Sequence, residues 1–268
     1  MQFSFRVYAS SLLLALLLSC GLSQTDRPAP GDGLQINIGK ASFTDSDPQK
    51  FSRKAPQRYA VQGIDAARYQ GAIDWQLAAG AGVSFAYLKA TEGGDGLDPA
   101  FATNWQGAAQ AGIPRGAFHF FYFCRPAREQ AAWFIRNVPR SPGALPPVLD
   151  MEWTPFSPTC TLRPDPATVR AEAETFLNFL EQHYGQRPLI YTSPEFYATN
   201  QMARIPRVEF WLRSVADHPS KTYPNQAWTF WQYSSTGGVA GVQGPVDTNV
   251  FAGSVAAWSA WLTARSLP

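Results

Sequence analysis

Pro146-Pro147-Val148-Leu149-Asp150-Met151-Glu152 is the stretch on which the fold and the chemistry of this chain turn. The composition of Pro146 to Leu149 predicts a short buried strand, and a strand sends successive side chains to opposite faces. Asp150 and Glu152, two positions apart, therefore share one face. Like charges this close resist joint ionisation, so the pKa of one carboxyl should rise while the other stays anionic. An acid catalyst and its charge-stabilising partner need that division. A strand end dipping into solvent also carries paired acids, and the spacing by itself does not separate the two.

Upstream, Ala60 to Ile64 ends at Asp65, Val83 to Leu88 ends in Lys89-Ala90-Thr91-Glu92-Gly93, and Gly116 to Phe123 carries His119. Ala-rich helical stretches separate these runs. Downstream, a helix is expected from about Asp165 to Tyr184, opened by Pro164 and Asp165 and closed by Gly185. A fifth strand follows at Pro188 to Tyr191. The alternation then stops. Phe210 to Leu212, Trp228 to Tyr233 and Val246 to Phe251 are separated by turns too short for full helices, and a last helix near Val255 to Ala264 would close the outside. The expected fold class is α/β: an irregular TIM-like barrel in which five βα units precede three strands with few helices.

In such barrels the chemistry gathers where the C-terminal ends of the strands converge. Asp65, Glu92, Asp150, Glu152 and Asp247 all fall at or just after those ends, with Tyr191 and Gln232 near the ends of theirs. So many carboxylates on one rim are hard to explain as solvated surface.

The 268 residues are 45% hydrophobic and 14% aromatic, enough for one large core and too apolar for disorder over most of the length. A formal net charge of +2 with dispersed basic residues argues against nucleic acid as a partner. Near the start, Arg6 precedes an apolar stretch from Leu12 to Leu18 that is too short to span a bilayer, followed by Ser19 and Cys20. This reads as an export signal. Leu17-Leu18-Ser19-Cys20 resembles the bacterial lipobox, which makes Cys20 the expected lipidation site and the cell envelope the expected location. Gly21 in place of Asp implies, for a Gram-negative host, the outer membrane facing the periplasm.

The expected organisation is a lipoprotein signal peptide over 1–20, a flexible tether over 21–58, rich in Gly, Pro, Ser, Asp and Gln, and a folded domain over 59–268. Export also favours disulfides over free thiols. Cys124 and Cys160 each lie just past strands that would be neighbours in a parallel sheet, and they are expected to pair.

The segment from about Tyr59 to Leu262 resembles the glycoside hydrolase family 25 lysozymes, the Chalaropsis-type N-acetylmuramidases. The resemblance rests on Gly63-Ile64-Asp65 with Trp75 ten residues on, Lys89-Ala90-Thr91-Glu92-Gly93 and Gly116-Ala117-Phe118-His119-Phe120. Leu149-Asp150-Met151-Glu152, Trp231-Gln232-Tyr233 and Val246-Asp247-Thr248-Asn249-Val250-Phe251 complete it, in the family's order. It implies hydrolysis of the β-1,4 bond between N-acetylmuramic acid and N-acetylglucosamine in peptidoglycan, with no cofactor and no metal. By this resemblance Glu152 is the general acid, Asp150 stands beside it, and Asp65 and Asp247 are the pocket's other acids. Two acids on one strand edge approach the same side of the bond, which favours attack by the substrate's own 2-acetamido group over attack by a carboxylate. Asp150 then steadies the cation and net retention is expected.

Substrate contacts are expected from Glu92, Tyr122, Trp153, Tyr191, Trp231 and Gln232, because aromatic faces stack on sugar rings while polar groups fix orientation. Trp75 and Trp211 read as core. His119 has no second His or Cys at ligand spacing and reads as a hydrogen-bonded barrel residue. Lys89 would pair with a rim carboxylate or cap its strand, and Asn249 would support the loop carrying Asp247. Three rivals stand beside the lysozyme reading. A metal-dependent phosphodiesterase could also use clustered acids, and chelator-insensitive cleavage would discriminate against it. A chitinase-like glycosidase shares Asp-x-Glu but has a longer acidic, Gly-rich lead; a non-catalytic glycan-binding barrel would not need both acids. A monomer is expected, with the lipid anchor in place of a wall-binding module.

Overall fold

The computed structural model describes residues 1–2, 38–51 and 53–268. Cys20, with the expected signal and the first part of the expected tether, lies outside the described residues. After a two-residue strand β1 (Thr44–Asp45) come β2 (Gln62–Ala66), α1 (Trp75–Gly80), β3 (Phe85–Glu92), the short β4 (Gly96–Leu97) and α2 (Phe101–Gln110). β5 (Arg115–Phe120), α3 (Ala127–Asn137), β6 (Val148–Met151), α4 (Pro166–Tyr184), β7 (Leu189–Thr192) and α5 (Pro194–Asn200) continue the alternation. β8 (Phe210–Arg213), a one-turn α6 (Pro219–Thr222), β9 (Phe230–Gly238), β10 (Val246–Phe251) and α7 (Val255–Arg265) end it.

Among the described residues, eight strands close in the order β2-β3-β5-β6-β7-β8-β9-β10 and back to β2. Pairings from β2 round to β9 are parallel, whereas β10 is antiparallel to both of its neighbours. Residues 239–245, between β9 and β10, are too few for the crossover that a parallel pair requires. Five βα units followed by three helix-poor strands is the architecture the sequence predicts.

Local chemistry explains the elements that position the site. In α4, the Asp165 side chain accepts from the N–H groups of Ala167 and Thr168, Pro166 fills the first turn, and Gly185 stops the helix at φ 75°. In β6 the alternation is strict. Val148 joins the aromatic cluster inside the barrel, Leu149 and Met151 pack outward against the helices, and Asp150 faces inward with Glu152. The interior is filled by large rings, among them Phe85, Tyr87, Trp211 and Phe230. Gly63 and Gly116 make room for them: a Cβ on Gly63 would lie 2.6 Å from the Phe85 ring, and one on Gly116 would overlap Tyr87.

The expected tether ends earlier than residue 58. β1 pairs antiparallel with β9, Thr44 opposite Gly238 and Asp45 opposite Gly237. The Thr236 hydroxyl donates to Asp45 at 2.6 Å, and Phe51 meets Trp231 edge-on at 5.1 Å. Pro56–Arg58 then forms a 3-10 turn leading into β2. The cause is the helix-poor half of the barrel. Trp231, Tyr233 and Val250 form an apolar cluster there, and residues 38–58 supply part of its cover in Phe51.

Candidate active site

The carboxyls of Asp65, Asp150, Glu152 and Asp247 line one cleft of about 200 Å³ at the C-terminal ends of the parallel strands. β10 runs the other way, so Asp247 reaches the same rim from the start of its strand and lies directly opposite Asp65. Lys89, Phe118, Phe120, Tyr191, Trp211 and Gln232 form walls, and Tyr69 stands at the edge, 74% exposed.

Burial dominates the electrostatics. It drives Asp150 well above the usual carboxylate range, the Glu152 charge adds to the shift, and Lys89 opposes it. Burial also raises Glu152, against the pull of Arg213 and Lys89. Asp65 is pushed up to about 6 by burial, restrained by hydrogen bonds from Asn249 and Gln232. Asp247 is pushed up to about 8 by burial and then by the Asp65 charge. Four carboxyls this close cannot all ionise at neutral pH, so the cleft holds protons. Asp150 Oδ1 is buried with no hydrogen-bond partner among the described residues.

Asp65 is held by amides. Its Oδ2 accepts from Asn249 Nδ2 at 2.7 Å and from Gln232 Nε2 at 3.1 Å. Each amide is held in turn: Trp211 Nε1 donates to Asn249 Oδ1 at 2.8 Å, and Tyr191 Oη donates to Gln232 Oε1 at 2.9 Å. Asn249, expected only to support a loop, thus bonds an acid directly. Trp211 is core, as expected, and also lines the cleft.

Not every expected contact residue reaches the cleft. Trp231 is fully buried, donates to the Ser214 carbonyl at 2.8 Å and packs on the outer flank. Adjacent residues of a strand face opposite ways, so Gln232 takes the inner face and Trp231 cannot. Trp153 is wedged against Phe196 and Phe123, with Arg163 over its ring at 5.1 Å. Tyr122 leans edge-on against Phe120, and neither Tyr122 nor Trp153 lines the cleft. Glu92 is paired with Lys89, which leaves Lys89 as the lining residue of the two. Tyr69 was missed by sequence reasoning. Its signal was an aromatic four residues after Asp65, on the loop leaving a barrel strand at the reactive end.

Two further features frame the site. Cys124 and Cys160 form a disulfide with Cα atoms 5.7 Å apart, tying the loop after β5 to the loop that follows Glu152. His119 is fully buried, bonded through Nδ1 to the Thr91 hydroxyl at 2.7 Å and through Nε2 to Gln130 Oε1 at 3.0 Å. Burial lowers it to about 4, so it is neutral at ordinary pH. Gln130 Nε2 also holds the carbonyls of Tyr122 and Arg125, fixing the disulfide-bearing loop. Among the described residues, no group of His, Cys, Asp and Glu has the arrangement to hold a metal ion.

A closed α/β barrel whose reactive end gathers an Asp-x-Glu pair and two more acids has the form of a glycoside hydrolase. The chain is a member of the glycosyl hydrolases family 25, whose family model matches residues 64–242. It is 36% identical over 214 residues to the protein YegX of Escherichia coli strain K12, covering 77% of this chain and 75% of that one. It is 34% identical over 278 residues to lysozyme M1 of Streptomyces globisporus, covering 91% of each. The solved family 25 glycosyl hydrolase of Bacillus anthracis superposes with a TM-score of 0.71 at 34% identity, over 80% of this chain and 98% of that one.

Proposed function

We propose that the chain is a lysozyme of the N-acetylmuramidase type, which hydrolyses the β-1,4 bond between N-acetylmuramic acid and N-acetylglucosamine in peptidoglycan. The observation that carries the reading is the placement of buried Asp150 and half-buried Glu152 side by side at the end of one strand, in a cleft shared with Asp65 and Asp247. Glu152, whose pKa burial raises, gives its proton to the glycosidic oxygen as the bond to C1 breaks. The 2-acetamido oxygen of the same sugar closes on C1, and Asp150 in its ionised form steadies the positive charge that develops on the ring formed; that charge offsets the burial and the Glu152 repulsion that raise Asp150 in the empty cleft. Water then enters at C1, giving a proton back to Glu152, and the β configuration is retained. Tyr69 offers an exposed ring at the cleft edge for a neighbouring sugar.

Export and lipidation at Cys20, with the outer membrane as the site of anchoring in a Gram-negative host, belong to the same proposal and rest on the sequence of the first 21 residues. A monomeric state is part of the proposal as well. Digestion of purified sacculi by the full-length protein tests the activity. Muramic acid at the new reducing ends, released first as the β-anomer, is the expected product; anhydro-muramic ends would indicate a lytic transglycosylase, and initial α-anomer would exclude retention.

A further inference from the structure

The hydrogen bonds around Asp65 have a direction that is fixed at one atom. An indole N–H can only donate, so Trp211 Nε1, at 2.8 Å, requires an acceptor and obliges Asn249 to present Oδ1 to it. The amide cannot then flip. Its NH₂ group must face Asp65 Oδ2 at 2.7 Å, with a second, longer contact to the Asp247 carbonyl at 3.4 Å. Flipped, Asn249 would set its oxygen against both acceptors and its nitrogen against the indole N–H. Gln232 adds another N–H to the same carboxylate oxygen at 3.1 Å. An oxygen that accepts from two amide donors cannot carry the proton itself, and two N–H groups donated to a carboxylate favour its charged form over the neutral acid protonated at Oδ1. The side chains of Asp65 and Asp247 also hydrogen-bond to each other, so one of the two is the donor.

We infer that Trp211 is a positioning residue that acts through Asn249 to keep Asp65 ionised, so that the proton shared by the facing pair Asp65 and Asp247 resides on Asp247. Asp247 is therefore a neutral hydrogen-bond donor in the cleft at working pH, and Asp65 is the fixed anion of the pair. Tyr191 holds Gln232 in the same sense but less strictly, because a phenol can donate or accept and tolerates a flipped amide. Other charged groups face the pair. Asp150 from β6, Glu152 just past its end and Lys89 from β3 bear on Asp65 or its neighbours, and Arg213 from β8 bears on Asp247 and Glu152. None of them donates a hydrogen bond to Asp65 among the described residues, so the polarity of the pair is set by the amides.

Two readouts test this, and only the second rests on the proposed muramidase activity. Infrared difference spectra of the full-length protein at neutral pH should contain a protonated-carboxyl band that Asp247→Asn removes. A spectrum in which Asp65→Asn removes such a band while Asp247→Asn leaves every such band in place would overturn the assignment. In the pH profile of kcat/KM on sacculi, Trp211→Phe should move the acid limb upward by about one pH unit, the worth of roughly one hydrogen bond to a charge. Tyr191→Phe should move it less. If both variants lower kcat and melting temperature with the acid limb unmoved, Trp211 is a packing residue only and the positioning role fails.

Discussion

Asp65 and Asp247 are direct cross-strand neighbours on the antiparallel strands β2 and β10, so carboxyls from opposite ends of the domain share one buried site. Asp65 is pushed up to about 6 and Asp247 to about 8, in both cases mainly by burial. Both values exceed the ordinary 3.8, so between 3.8 and about 8 the folded chain binds more protons than the unfolded one. Stability from this pair is greatest below 3.8 and is lost as the pH rises through the folded values. Asp247→Asn removes the group that titrates last. The melting temperature of that variant should gain steadily on the parent as the pH is raised through the window; calorimetry over a pH series checks it, and a constant gap would refute it.

Glu152→Gln keeps the shape of the side chain and loses the proton. Turnover of sacculi should fall by roughly 10²–10⁴-fold, with fold and substrate binding retained. Circular dichroism, pull-down on insoluble peptidoglycan and single-turnover cleavage measure the three quantities. Normal turnover would end the assignment of Glu152 as the acid.

Trp231 and Tyr69 should separate packing from sugar contact. Trp231→Ala empties a fully buried site and should cost about 3–5 kcal/mol of stability. Tyr69→Ala alters an exposed ring at the cleft edge and should leave stability within about 0.5 kcal/mol while raising KM several-fold. Denaturant melts and steady-state kinetics on soluble glycan fragments decide between them.

The disulfide closes a loop with a sequence separation of 36. Chain-entropy reasoning assigns such a closure about 3–4 kcal/mol. Reduction, or Cys124→Ser together with Cys160→Ser, should lower the melting temperature by roughly 10 °C, as read by scanning calorimetry with and without reductant. An unchanged melting temperature would mean that the two loops are held by packing alone.

Residues 38–51 and 53–58 belong to the folded body, which bears on how the catalytic part is cut. A chain beginning at Tyr59 loses β1 and the Phe51 ring against Trp231. It should melt well below a chain beginning at Ile38, and should bind more of a hydrophobic dye. Equal melting curves would show that the flank needs no cover.

Much of the fold was legible because it is written in local periods. The cap at Asp165, the left-handed Gly185 and the run Val246 to Phe251 each fix an element whose bounds the structure repeats to within a residue. The strap over 38–58 was not legible. Its polar composition resembles a linker, and the few apolar residues that anchor it, such as Phe51, are answered only by rings on a distant strand. Trp231 and Gln232 show a different limit: alternation lets only one of two neighbours face the cleft, and chemistry alone made both attractive.

By itself the sequence determined the alternating strands, the inward face shared by Asp150 and Glu152, and a family membership carried by motifs in order. The first two follow from spacing along the chain, through the two-residue period of strands and the capping chemistry of helices; the third rests on the resemblance of those motifs to the family's. Tertiary structure alone decided which acids meet and which amides hold Asp65. Closing the barrel brings β10 against β2, sets Asp247 opposite Asp65, and points the Trp211 indole N–H at Asn249. No local period encodes those contacts, because they depend on strand register across the closure and on the orientation of side chains that only the packed interior fixes.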